Sequence, residues 1–174
     1  VPLIFAGGGI QKGRKSPAPV YLNDIYPTLC ALAALDVPSS VMSKSLMPIL
    51  EGAPGAQVRD ASVHVYKNFQ RAIRTDPYKL IEYNVGGTIT RQLFDLSKDP
   101  YEMNNLAGQP WSDSLVTALE SDLQAALRDI GDEVDLKQPG WGVPVIMRWE
   151  DKVRRRDPEA LERMRKMAAE EHQD

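Results

Sequence analysis

Between Ala61 and Leu96 the sequence holds four short runs rich in β-branched and aromatic residues: 61–66, 70–75, 78–83 and 88–96. Turn chemistry separates them, with Lys67-Asn68 first, then Asp76-Pro77, then Asn84 to Gly87 with its paired glycines. Strands linked so closely favour an antiparallel meander, because parallel neighbours need long crossover connections. A sheet of this kind has two faces, and at least one needs a cover. The next strong signal supplies it: Ser112 or Asp113 opens a helix in which Leu115, Leu119, Leu123, Leu127 and Ile130 form one apolar stripe, closed by Gly131. The expected unit is α+β, a four-stranded antiparallel sheet covered on one face by the helix that follows it.

The flanking segments read differently. Pro2 to Ala6 is a short apolar strand ended by the glycines at 7–9; buried strands of this type need neighbours on both sides, which suggests a chain taken from a longer polypeptide. After a polar loop, a helix starts at Asn23 or Asp24 with Pro27 in its first turn, carries Ile25, Leu29, Leu32 and Leu35 on one side, and stops before Val37-Pro38. SLMPILEG reads as one helical turn, followed by a loop from Gly52 to Ala56. Beyond Asp132 the signal weakens: QPGWGVPV is a punctuated loop, and Asp157-Pro158 begins a charged helix whose apolar side is Leu161, Met164 and Ala168. This tail is expected to pack loosely or against a partner. Trp141 and Trp149 in a polar stretch point to an interface, a homo-oligomeric one included. The expected divisions are 1–56, 57–131 and 132–174.

Composition excludes several functions. Apolar residues at 43% and charged residues at 26% are the mixture of a globular chain. A net charge of −3 offers no field for nucleic acid or an anionic membrane. Residues 150–174 hold seven Lys/Arg against eight Asp/Glu, a mixed solvated surface. No apolar run approaches the roughly 18 residues of a membrane span, and no signal-like apolar core follows a charged start. The run GGIQKGRKS from Gly8 has glycines, lysine and serine out of register for a phosphate loop, and Pro17 and Pro19 oppose the helix such a loop must open. His64 and His172 stand 108 positions apart with no metal-binding pairing, and Asp129, Asp132, Glu133 and Asp135 lack the spacing of a calcium loop. No serine sits in G-x-S-x-G. Cys30, the single cysteine, has no histidine or positive charge within a turn of it in sequence and reads as packing rather than as a nucleophile.

Four segments, in order and at matching spacing, carry a resemblance: VPLIFAGGGIQKG, VYLNDIYPTLCALAAL, RAIRTDPYKLI and QLFDLSKDPYEMNNLA. Together they resemble the C-terminal third of the formylglycine-dependent sulfatases of the alkaline phosphatase superfamily, over roughly residues 1–130. The resemblance implies the last strand and helix of a sulfatase α/β catalytic domain over 1–56, then the C-terminal antiparallel sheet plus helix subdomain. It also implies a parent enzyme hydrolysing sulfate esters with a formylglycine nucleophile and a Ca2+ ion, both upstream of Val1. Cys30 is followed by Ala31-Leu32-Ala33-Ala34, not by the family's Pro/Ala-then-Arg pattern, and is not the formylglycine site. Two departures stand out: Gly8 replaces a common proline, and the segment after about residue 132 has no counterpart.

On this reading no catalytic residue, metal ligand or cofactor site lies in the chain itself. Its partners are the upstream catalytic portion of the same protein and a sulfated small molecule or carbohydrate. The residues expected at the substrate are His64, Lys67, Asn68 and Arg71, around the exit of one strand and the entry of the next, where charge-assisted hydrogen bonds could hold a sulfated sugar. The plainer alternative makes them surface turn residues. Two further alternatives are a scaffold module with a sulfatase-like fold and the equivalent part of a phosphate or phosphonate ester hydrolase. Lysosome, periplasm and extracellular space all suit the family, and nothing in the sequence chooses among them.

Overall fold

The computed structural model describes residues 2–7, 9–138, 140–146, 151, 152, 157, 159, 160, 162, 163 and 166. The expected helix side formed by Leu161, Met164 and Ala168, together with Trp149 and His172, lies outside the described residues. The meander is present: β1 (Ser62–Tyr66), β2 (Gln70–Arg74), β3 (Tyr78–Val85) and β4 (Thr88–Asp95) form one antiparallel sheet in sequence order. Helix α3 (Asp113–Asp129) lies across it. Val116, Leu119, Leu123 and Leu127 from the helix and Ile73, Leu80 and Leu93 from the sheet form the main core. Val116 joins the buried side at the first turn, and Ile130, the last residue of the predicted stripe, is half exposed beyond the end of the helix. On the opposite face Ala72, Ile81 and Phe94 make a smaller cluster.

The expected strand over residues 2–6 is not formed. A strand exists through its ladder, and no described residue pairs with this segment. Helix α1 (Ile25–Leu32) follows a 3-10 turn at Leu22–Asp24, and α2 is the short Met47–Leu50. The buried side of α1 is not the predicted leucine stripe. Pro27, Thr28 and Cys30 are buried, while Leu29 and Leu35 are 53% and 64% exposed. Cys30 is therefore packing, as its sequence surroundings indicate. The inward side is organised by Asp24, which accepts hydrogen bonds from the backbone N–H of Tyr21 (2.7 Å) and Lys44 (3.1 Å) and from both terminal nitrogens of Arg59 (2.6 and 2.7 Å). Thr28 extends this hub by donating to the Asp24 carbonyl and accepting from Leu46 N–H. The Tyr21 hydroxyl, accepting from Val63 N–H at 2.6 Å, ties the hub to β1.

The looseness expected after Asp132 does not hold for residues 132–138 and 140–143. Leu136 and Trp141 join the main core. Gln124 of α3 clasps the segment from both sides, donating to the Val134 carbonyl (2.6 Å) and accepting from Leu136 N–H (2.9 Å). Val143 then makes a parallel bridge to Val85 at the end of β3. Gly142 makes this approach possible: its φ is +107°, and a Cβ there would lie 2.5 Å from the Asn84 carbonyl oxygen. Gly142→Ala should cost about 1–3 kcal/mol in chemical denaturation. Gly140→Ala, where an added Cβ meets nothing within 4 Å, should cost under about 1 kcal/mol.

Candidate functional site

The three-residue turn Lys67–Phe69 joins β1 to β2, and Lys67 holds it with a left-handed φ of +50°. The antiparallel register pairs His64 with Ala72 and Val65 with Arg71. Side chains alternate between faces along a strand, so His64 and Arg71 point to opposite sides of the sheet. Of the four sequence-predicted residues the structure brings two together. Asn68 and Arg71 line one open cavity of about 410 Å³, with Val134, Asp135, Gln138 and Trp141 as its other principal walls. Lys67 is exposed in the turn, its ammonium 5.3 Å from the Tyr66 ring centroid. His64 stands away from the cavity, 3.2 Å from the Ser62 hydroxyl. Partial burial, with Lys79 and Arg74 adding repulsion, holds its imidazole below the ordinary histidine value.

Arg71 is the best-fixed member, at 5% exposure. Its Nε donates to Asp132 at 2.7 Å, and Nη1 donates to the carbonyls of Lys67 and Gln70, both at 2.9 Å. The guanidinium carbon sits 5.7 Å from the Trp141 ring centroid. Nη2 donates to no described residue. The chain thus spends one face of a buried guanidinium on holding the turn against the segment after α3 and leaves two N–H donors at the cavity. Asp135, Gln138 and Trp141 were missed as site residues because they are distant in sequence and carry no motif. The signal was Gly142, next to Trp141, which marks a close backbone approach rather than a loose linker. Trp141 is itself buried at 9% exposure, so an interface between copies draws no support from it.

Among the described residues no group of three or more His, Cys, Asp or Glu side chains is placed to hold a metal ion. No helix among them is long and apolar enough to cross a membrane.

Residues 1–129 match the family model described as N-sulphoglucosamine sulphohydrolase, C-terminal. The chain belongs to this family. Arylsulfatase K of Xenopus laevis is 31% identical over 122 residues, which are 63% of this chain and 23% of that protein. An ulvan-active sulfatase of Formosa agariphila is 31% identical over 143 residues, 76% of this chain and 27% of that protein. Among solved structures, a 2-O GAG sulfatase superposes with a TM-score of 0.54 at 30% identity, covering 66% of this chain and 26% of that one. A second, solved in complex with its substrate D-glucosamine-2-N,6-O-disulfate, superposes with a TM-score of 0.55 at 25% identity, covering 67% and 25%. The sulfatase C-terminal fold is therefore shared, and the chain spans about a quarter of the length of these relatives. The family match ends at residue 129, so the wall residues Val134, Asp135, Gln138, Trp141 and Gly142 lie beyond it.

Proposed function

We propose that this chain is the C-terminal portion of a sulfatase that hydrolyses sulfate esters, and that it shapes the substrate pocket while the nucleophile and metal ligands reside in upstream polypeptide. The observation that carries the reading is the family match over 1–129 combined with relatives about three times as long that are named sulfatases. The outward side of α1 supports it: Tyr26, Leu29, Leu32 and Leu35 are each more than a third exposed, and an apolar side of this size suits the covering catalytic α/β portion. Ca2+ and formylglycine belong, on this proposal, to that upstream portion. Of the four residues expected at the substrate, Asn68 and Arg71 form the wall toward the sulfated small molecule or carbohydrate, and His64 and Lys67 lie outside it.

The test compares two proteins on a chromogenic aryl sulfate with calcium present. The 174 residues alone should give no turnover, and the product of the whole reading frame should release sulfate. Steady turnover by the isolated chain overturns the division of labour, and a whole product that cleaves only phosphate or phosphonate esters overturns the ester type.

A further inference from the structure

The cavity between the β1–β2 turn and the residues Val134, Asp135, Gln138 and Trp141 has a charge balance that limits its ligands. Arg71 brings one positive charge, and the Asp132 carboxylate 2.7 Å from its Nε neutralises it. Asp135, in the wall, adds a negative charge that no cation lining the cavity offsets. Lys67 and Lys137, the cations next in sequence to Asn68 and Gln138, are not part of the wall. A sulfate or carboxylate entering here would meet a net negative surface and gain little from a guanidinium already paired.

What the walls offer is uncharged hydrogen bonding. Arg71 Nη2 carries two donors that no described residue takes up, on a side chain already immobilised by three other bonds, so a ligand oxygen would meet a fixed donor with no rotamer entropy left to lose. The Asn68 and Gln138 amides each donate and accept, and Asp135, whose Oδ1 takes the Lys137 N–H at 3.0 Å, has a second oxygen to accept with. Val134 and the Trp141 edge supply apolar surface between these groups. Fixed donors, adaptable amides, an acceptor carboxylate and an apolar floor match a sugar ring, which is hydroxyl-rimmed and apolar on its C–H faces. The volume, about 410 Å³, lies within the roughly 300–1,000 Å³ of small-molecule sites.

We propose that this cavity is a subsite for an uncharged, hydroxyl-rich saccharide unit, built jointly by the β1–β2 turn and the segment beyond the family match. Under the sulfatase reading, on which its biological role rests, it selects the neutral part of the substrate rather than the sulfate. Binding itself does not depend on catalysis, so the two ideas fail separately.

The experiment follows the side-chain amide resonances of Asn68 and Gln138 in the full chain while methyl β-glucoside, cellobiose, glucuronic acid or inorganic sulfate is titrated in. The expected result is saturable shifts with the two neutral sugars and none with inorganic sulfate. Gln138→Ala and Asn68→Ala, both at exposed positions, should each weaken neutral-sugar binding by about tenfold, the worth of one hydrogen bond, with unchanged melting. Silence from every probe overturns the site. Sulfate that moves these amides overturns the charge argument whether or not sugars bind, and sugar affinity untouched by either substitution places the binding elsewhere.

Discussion

Arg59→Met is expected to cost about 3–5 kcal/mol, the range for stranding one member of a buried ion pair. Asp24 is 0% exposed and the Arg59 side chain 9%. Burial by itself would push the Asp24 carboxyl up. Arg59's two hydrogen bonds, the Tyr21 and Lys44 amides and the arginine's charge together outweigh burial and hold it below the usual carboxylate range. With the guanidinium gone, the two amides remain and the charge has no counterion. The sign with pH follows. In the native chain a depressed carboxyl contributes stability above its unfolded value, and the contribution is lost as pH falls through the folded one. In Arg59→Met the carboxyl rises instead, so the deficit should be largest at neutral pH and narrow on acidification as Asp24 takes up a proton. Urea denaturation at two pH values measures this through the midpoint. The double variant with Asp24→Asn should lose less than Arg59→Met alone. A double variant that loses as much as the sum of the singles would show that packing of the long arginine stem, and not the stranded charge, sets the cost.

That hub also explains where the sequence misled. Ile25, Leu29, Leu32 and Leu35 repeat at helical spacing, and periodicity alone makes them the inward side of α1. The described chain turns the helix the other way because Asp24 and Thr28 are held by Arg59, Lys44 and Leu46, between 18 and 35 residues distant. Long-range polar contacts have no local signature. The stripe remains meaningful as an apolar side to be covered. By contrast, the four strands and α3 were legible because their cause is local: period-two runs between turn residues, then a leucine every fourth position. The candidate site was half legible. Asn68 and Arg71 stand together, yet grouping them with His64 ignored strand alternation, which a three-residue turn and the pairing of Arg71 with Val65 already dictate. The other half of the cavity comes from Val134, Asp135, Gln138 and Trp141, placed by Gln124 and Gly142 through contacts a linear reading does not contain.

The second large effect lies under α3. Glu82 is 0% exposed in the centre of the sheet, in register with Arg71 on β2 and Arg91 on β4. Arg71 is committed to Asp132 and two carbonyls, which leaves one arginine for two carboxylates: Arg91 Nε donates to Glu82 Oε1 at 2.9 Å and also pairs with Glu120 of α3. Glu82 Oε2 receives no hydrogen bond from any described residue. Burial raises the Glu82 carboxyl most, the Glu120 carboxylate raises it further, and Arg91 offsets only part, so that it is pushed from 4.5 up to about 7. Between those values the folded chain holds a proton the unfolded chain has released. Stability must therefore fall as pH rises through that window and level off above it, by a total of about 3 kcal/mol at 1.36 kcal/mol per unit. Asp24 acts with the opposite sign but below its ordinary 3.8, outside this range. His64, with its depressed value, opposes the trend near neutrality, so the comparison must be against a variant that keeps His64. Glu82→Gln is that variant: it preserves volume and a donor toward Glu120 and cannot ionise. It should match the native chain within about 1 kcal/mol near pH 5, exceed it by about 3 kcal/mol near pH 8, and remove most of the slope between. Equal slopes in the two proteins would mean that Arg91 neutralises both glutamates after all, and that the sheet carries its buried charge without a proton.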